Sequence, residues 1–345
     1  MSKINLDKGL IGLYSNTIWT YLGLMVIATC LIVIAGFRSI GFDRDSLNYL
    51  ESFLGFQSLL DSDYLNKEPG FWLIVWLSNL IFGSSARPFF IIYASLGVLI
   101  TFSAVKKLTC HPILAIFCYI FLYFPLHGMT QIRAGLACAI FLSSIPNAVD
   151  RKLLSFVIKL FLAAMVHYFA IVFFAIYFLK AKTINVKFYL SLPFIGLFFV
   201  LFRNELVRAL SSFAPLLPDF IGYKLLIYIE LLQDDIGAEI NLFSAYYISL
   251  FAIYYYSVLS VDKFTEKYDY VFIKLLGWAL FGYYMLSFLP AIAVRVSELY
   301  GVVIIFIIPM LVYSFKEKIV PLILSAIFLL LIFINNVFLH NLFNF

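Results

Sequence analysis

Two carboxylates, a histidine and two arginines are the groups in this chain suited to moving a proton or holding an anion, and each stands beside an apolar run. Asp45 lies in "FRSIGFDRDSLNYLESF", which also carries Arg38, Asp43, Arg44, Tyr49 and Glu51. Glu68 lies in "NKEPGFWLI", at a Glu-Pro-Gly turn that opens onto Phe71. Gln131 and Arg133 open "QIRAGLACAIF", His167 interrupts "AAMVHYFAIVFF", and Arg295 and Glu298 stand in "PAIAVRVSELYGVV". A carboxylate or a histidine can take the proton of an attacking hydroxyl. Arginine presents a planar fork of donors matched to phosphate. A carboxylate poised as a base or sugar anchor, with an arginine to bind an anion, is the chemistry these types can do together.

Each residue also has a structural reading. The acidic-basic stretch from Arg38 to Glu51 fits a solvated loop with local ion pairs, and "DRD" is too common a pair to signal a metal. Glu68 fits the first turn of a helix, where a carboxylate is favourable. Arg295 and Glu298 are three apart and could form a helical ion pair. His167 fits hydrogen-bonded packing. Arg133 is harder to dismiss, because an arginine near the bilayer centre costs at least about 2.5 kcal/mol. The small residues after it (Ala134, Gly135, Ala137, Cys138, Ala139) would let other helices approach and supply polar partners.

The elements that must position these groups follow from composition. The chain is 64% hydrophobic and 19% aromatic, with only 12% charged residues, about half the charge of a soluble domain. Apolar runs match the roughly 20 residues of a spanning helix. The expectation is an all-α, polytopic membrane bundle of one domain, 1–345. Its spans fall near 18–37, 88–105, 110–126, 131–146, 153–166, 168–179, 187–202, 242–260, 271–290, 298–315 and 320–339, which makes about 11–12 segments with short or re-entrant helices among them. Net charge of +5 then bears on membrane orientation rather than on nucleic acid. Cys30, Cys110, Cys118 and Cys138 form no CxxC pair and signal neither zinc nor disulfides. No cofactor is signalled.

Charged clusters sort into two kinds. Lys106-Lys107, Arg151-Lys152, Lys180 with Lys182, Lys263 with Lys267 and Lys316 with Lys318 are basic and short. The segments near 38–69 and 203–241, and the pair Arg295 and Glu298, are acidic or mixed. Basic turns on the cytoplasmic side put the mixed segments outside. Lys3 and Lys8 favour an inside amino terminus, so Phe71–Gly83, short for a span, is expected to dip in and return. Leu153–Lys180, too long for one span and too short for two, is expected to form two short helices meeting near His167, a break tolerated only where backbone is buried in protein or lines a cavity. Lys159, deep in the first of them, is expected to snorkel.

In order and spacing, "RSIGFDRDSLNY", "KEPGF", "QIRAGLACAI", "AAMVHYFAIVFF" and "RVSELYGVVIIFIIP" resemble the EpsG-like proteins, Wzy-type polymerases of bacterial O-antigen, capsule and exopolysaccharide. The likeness runs from about Arg38 to Pro309. It implies a GT-C-like membrane glycosyltransferase that polymerises polyprenyl-pyrophosphate-linked oligosaccharide repeats at the outer face of the inner membrane. It also implies a chain-length regulator and a flippase of the same pathway as partners. Matching positions are Asp45, Tyr49, Glu68, Arg133, His167 and Arg295. Two departures stand out: Ala134 follows Arg133 where the family commonly has glutamine, here at Gln131, and Tyr168 follows His167 where a small residue or proline is common.

On that reading Glu68, Asp45 and His167 are the catalytic set, with Arg133, Arg295, Tyr49, Gln131, Arg38 and Glu298 binding substrate. Glu68, placed between Lys67 and the apolar run, is expected to have a raised pKa and act as the base. Asp45, beside Arg44, is expected to stay ionised and hold the acceptor sugar. A flippase or transporter of the same lipid-linked sugars, a membrane acyltransferase using His167 as its base, and a non-catalytic assembly subunit are the rival readings.

Overall fold

The computed structural model describes residues 4–56, 67–216 and 240–339, with residues 222, 226, 229, 342 and 343 and with side chains from residue 20 onward. The mixed segments expected outside the membrane therefore fall partly outside the described residues, as do the side chains of Lys3 and Lys8. Fourteen α-helices are described: α1 (Ile4–Phe37), α2 (Ser46–Leu54), α3 (Pro69–Phe82), α4 (Arg87–Leu108), α5 (Pro112–Leu122), α6 (Ile132–Val149), α7 (Leu153–Val166), α8 (Val186–Val200), α9 (Arg203–Phe213), α10 (Ala245–Leu259), α11 (Asp269–Met285), α12 (Pro290–Gly301), α13 (Ile304–Ser314) and α14 (Ile319–Ile334). A π-helical turn, Phe124–Thr130, links α5 to α6, and a 3₁₀ helix, Tyr168–Phe178, follows α7. Among the described residues the one β feature is an isolated bridge between Asp43 and Phe343.

The fold is an all-helical bundle. Among the described residues four helices are long and apolar enough to cross a membrane, and up to seven spans result if each of three bent pairs counts as one. The bends are 65° between α5 and the π-helical turn, 77° between α8 and the run from Arg203 to Leu216, and 47° between α12 and α13. The shorter apolar helices are α3, α7, the 3₁₀ helix and α10. The 14 residues of α3 or α7 rise only about 21 Å, against a hydrocarbon core of about 30 Å. The chain thus carries more apolar helices than full-length spans.

Two of these short elements build the site. Leu153–Lys180 is a hairpin. The Arg151 guanidinium, at the start of α7, donates to the carbonyls of Tyr177 and Leu179 at the end of the 3₁₀ helix. Both ends of the hairpin thus lie together and His167, in extended backbone at φ −153° and ψ 110°, is its tip. Lys159, instead of reaching for water, bridges to α6 through the Ser143 carbonyl at 2.6 Å and Asn147 Oδ1 at 2.9 Å.

The other short element is α3. Phe71 in its first turn packs on Phe89 and Tyr93 in the first turns of α4, with ring centroids 5.6 and 6.4 Å apart. Only the loop 83–86 joins the far end of α3 to Arg87, a reach of about 14 Å at most. The start of α3 therefore sits at the Arg87 end of α4. Phe71–Gly83, expected to dip in and return, is one unbroken helix too short for the full hydrocarbon core.

Close backbone approach seats these pieces. A Cβ on Gly70 would lie 2.7 Å from the Met165 carbonyl oxygen, so only glycine lets the start of α3 touch the end of α7. A Cβ on Gly135 would collide with the His127 carbonyl, so the small residues after Arg133 let the π-helical turn lie directly on α6. The basic turns gather at the opposite end. Residues 149–151, 180–183 and 264–267 are among those lining one cavity there, and 108–111, 263–266 and 313–314 among those lining another.

Candidate active site

The site forms where α2, the start of α3, the start of α6, the tip of the α7 hairpin and α12 meet. Glu68 precedes Pro69 in extended backbone, at φ −70° and ψ 147°, and its side chain caps no backbone amide of α3. The carboxylate turns inward and is 5% exposed. One of its oxygens, Oε2, accepts from Arg133 Nη1. The other, Oε1, faces His167 Nδ1 at 3.2 Å and accepts from the backbone amide of Tyr168 at 3.3 Å. A carboxylate can only accept, so Nδ1 is the protonated nitrogen of that contact. One buried carboxylate ties together three segments remote in sequence.

Arg133 rests on aromatic rings. Its guanidinium carbon lies 5.7 Å from the Phe71 centroid and 6.0 Å from that of Tyr49. Tyr49 is buried, and burial holds its phenol at about 12, so it is neutral and can both donate and accept. Arg133 bonds both Glu68 and the Tyr49 hydroxyl, and its Nε is buried without an acceptor among the described residues.

Asp45 completes the set. Its side chain bonds no amide of α2; Asp43 does that work, its Oδ1 accepting from the Asp45 and Ser46 amides at 3.2 and 3.0 Å. Burial, and then Asp43, push the Asp45 carboxyl up. Arg133, Arg295 and Arg44 pull it down, and the net direction is up. Arg295 sits within electrostatic range of Asp45, with its guanidinium carbon 5.5 Å from the Phe169 ring. His167 packs on the same ring at 5.8 Å. Arg133, Glu68, His167, Phe169 and Arg295 thus form a connected arc, with Asp45 in the field of both arginines.

Two expectations about the carboxylates are reversed. Burial does raise Glu68, but the hydrogen bond to His167 and the charge of Arg133 outweigh it and hold the carboxyl at about 2. Glu68 is therefore a weak base. Asp45, expected to be made a weak base by Arg44 and Arg38, is the carboxylate whose affinity for a proton is increased. Sequence adjacency to Arg44 suggested otherwise, but Arg44 is the weakest of the three cations acting on it.

Other expected residues fall outside the arc. Arg38 is buried and structural: Nε pairs with Asp43 Oδ2 at 2.8 Å, Nη2 donates to the Met129 carbonyl at 2.6 Å, and Nη1 caps the Ala35 carbonyl at the end of α1. It welds α1, the Asp43 loop and the π-helical turn together. Gln131 occupies the N-cap of α6 and caps it through its backbone carbonyl, which accepts from the Gly135 amide at 2.9 Å. Glu298, one turn beyond Arg295, lies within the range of Arg295 and of Tyr123 and Tyr246 deeper in the bundle. Sequence reasoning passed over His127. It sits in the π-helical turn, its ring 5.0 Å from Tyr123 and its Nε2 buried without a partner, within electrostatic range of His167. Single π-helical turns recur at functional sites, but nothing in "FPLHGMT" announces one.

Residues 21–345 match the EpsG family. The chain belongs to that family. EpsG proteins are Wzy-like and polymerase-type, and the polytopic helical fold with its bent and re-entrant elements fits a membrane polysaccharide polymerase. Comparison with curated proteins and with solved structures gives no match. The EpsG match covers every segment that contributes to the arc, from α2 to α12.

Proposed function

We propose that this EpsG protein is a glycosyltransferase that polymerises polyprenyl-diphosphate-linked oligosaccharide repeats at the outer face of a bacterial inner membrane. The observation that carries the reading is the arc that joins Arg133 to Arg295 through Glu68, His167 and Phe169, with Asp45 within electrostatic range of both arginines, at the end of the bundle opposite the basic turns. Two cations answer a doubly charged leaving group, and a carboxylate of increased basicity answers an attacking hydroxyl.

In this reading the acceptor hydroxyl attacks the anomeric carbon of the donor sugar. Its proton passes to Asp45, the carbon–oxygen bond to the diphosphate breaks, and the electron pair leaves on the polyprenyl diphosphate. Arg133 meets the charge that develops there, which is where electrostatic stabilisation acts most strongly. Glu68 and His167 are positioning residues: Glu68 clamps one end of the Arg133 fork, and His167 anchors Glu68. Tyr49 supports the guanidinium from below and offers a hydroxyl to a sugar. The chain-length regulator and flippase remain the partners expected of such a pathway.

The deciding experiment supplies purified full-length protein in lipid nanodiscs with lipid-linked repeats and no nucleotide sugar. A ladder of products lengthened by whole repeats, with release of polyprenyl diphosphate, is the expected result. Transfer of intact repeats across a sealed bilayer without lengthening would replace polymerase with transporter.

A further inference from the structure

Lys67, immediately before Glu68, holds its ammonium 4.9 Å from the centroid of the Phe71 ring and 5.8 Å from that of Trp72. Arg133 rests on the same Phe71 ring, with its guanidinium carbon 5.7 Å away. The two cations therefore share one aromatic ring. Glu68, the carboxylate between them in this part of the site, is already committed to Arg133 and His167. Among the described residues Lys67 has no carboxylate in ion-pair contact, and its one side-chain hydrogen bond is to Ser52 Oγ. Burial, then Arg133, lower its pKa to about 8 against the opposing pull of Glu68 and Glu51. Among the described residues no carboxylate is paired with this ammonium.

The geometry points to Lys67 as a second phosphate-binding residue, taking one phosphate of a lipid diphosphate while Arg133, on the same ring, takes the other. A monophosphate can satisfy only one of two cations held on a shared ring, so the pair selects diphosphate over monophosphate lipid. Lys67 touches no reacting sugar atom in this arrangement and acts by holding the leaving group. The inference rests on the donor proposed above and adds to it a residue and a selectivity.

The test is equilibrium binding of a fluorescent polyprenyl diphosphate, and of the matching monophosphate and neutral polyprenol, to the purified full chain in detergent. Wild type should bind diphosphate tightest and polyprenol weakest. K67M should weaken diphosphate binding by about tenfold, the scale of one lost charge-assisted hydrogen bond, and leave monophosphate binding within twofold. K67R should keep the preference for diphosphate, and this variant decides the matter should K67M fail to accumulate. Unchanged diphosphate binding in K67M, equal loss for both phosphates, or a K67R protein without preference would overturn the assignment of Lys67. Wild type that lengthens repeats while K67M binds normally would overturn Lys67 alone. Wild type that binds diphosphate no tighter than polyprenol would overturn the donor reading itself.

Discussion

Glu68 Oε1 and His167 Nδ1 lie 3.2 Å apart, though 99 positions separate the two residues in the chain. The contact exists because two short elements end at the same place. The first turn of α3 presents Glu68, the tip of the α7 hairpin presents His167, and Gly70 against Met165 sets the distance between them. Both elements are too short for the full hydrocarbon core, and their meeting brings the charged ends together.

Gly70→Ala tests that seam. The new methyl would meet the Met165 carbonyl backbone, which has no flexible side chain to yield. We expect roughly 1–3 kcal/mol of destabilisation, read as a lower melting temperature in detergent. Loss of polymer should exceed what reduced protein level explains, because Glu68 and His167 are pushed apart. Full activity at normal stability would show that the seam tolerates an opening.

Asp45→Asn and Glu68→Gln should separate base from positioning residue. A general base works only when deprotonated, so activity falls as pH drops through its pKa. Because Asp45 is raised above 3.8, the acid limb of kcat/KM should lie above the ordinary aspartate range. The asparagine variant should lose about 10²-fold or more of activity, the scale of general-base catalysis, and its residual activity should lack that limb. The glutamine variant should keep the limb at a lower plateau. An acid limb that disappears with Glu68→Gln and persists in Asp45→Asn would return the base to Glu68.

Stability offers an independent reading of Glu68. Its carboxyl is held near 2, below the ordinary 4.5, so its contribution is present above pH 4.5 and is lost as pH falls from there toward 2. The melting temperature of wild type should decline across that window more steeply than that of Glu68→Gln. Removing the carboxylate should also cost roughly 2–3 kcal/mol, less than for a fully buried pair because the Arg133 side chain is 25% exposed. Parallel pH profiles for the two proteins would mean the pair contributes little.

Arg133→Lys distinguishes a fork from a point charge. Arginine can give Nη1 to Glu68 and still aim its other donors at a ligand; an ammonium has no second, fixed direction. The lysine variant should insert and accumulate, with activity reduced by about tenfold or more. Near-normal polymer from it would reduce Arg133 to a source of positive potential.

Orientation is open to direct measurement. Asn48 is exposed on α2 at the site end, and Lys182 is exposed at the basic end. With Cys30, Cys110, Cys118 and Cys138 replaced, Asn48→Cys should label with a membrane-impermeant thiol reagent in intact spheroplasts. Lys182→Cys should label only after lysis. The reverse pattern would invert the protein and move the site to the cytoplasm.

What the sequence by itself determined was the membrane bundle and most of its elements. Length and polarity of a run are local properties, so the runs near 88–105, 131–146 and 153–166 coincide with α4, α6 and α7. The break at His167 was equally legible, because basic residues at both ends of a run too long for one span and too short for two leave few solutions. The identities of Asp45, Glu68, Arg133, His167 and Arg295 as unusual polar groups could also be read, since lipid makes each of them costly. Only the tertiary structure decided what each does. Arg38 and Asp43 are absorbed in a structural weld, which depends on where Met129 comes to lie. Glu68 and Asp45 exchange their expected basicity because a carboxyl's proton affinity is set by charges within a few ångströms in space. For Glu68 those charges are Arg133 and His167, both distant in sequence; for Asp45, burial outweighs the arginine beside it. Local composition reports the cost of a buried charge, and only packing reports which partner repays it.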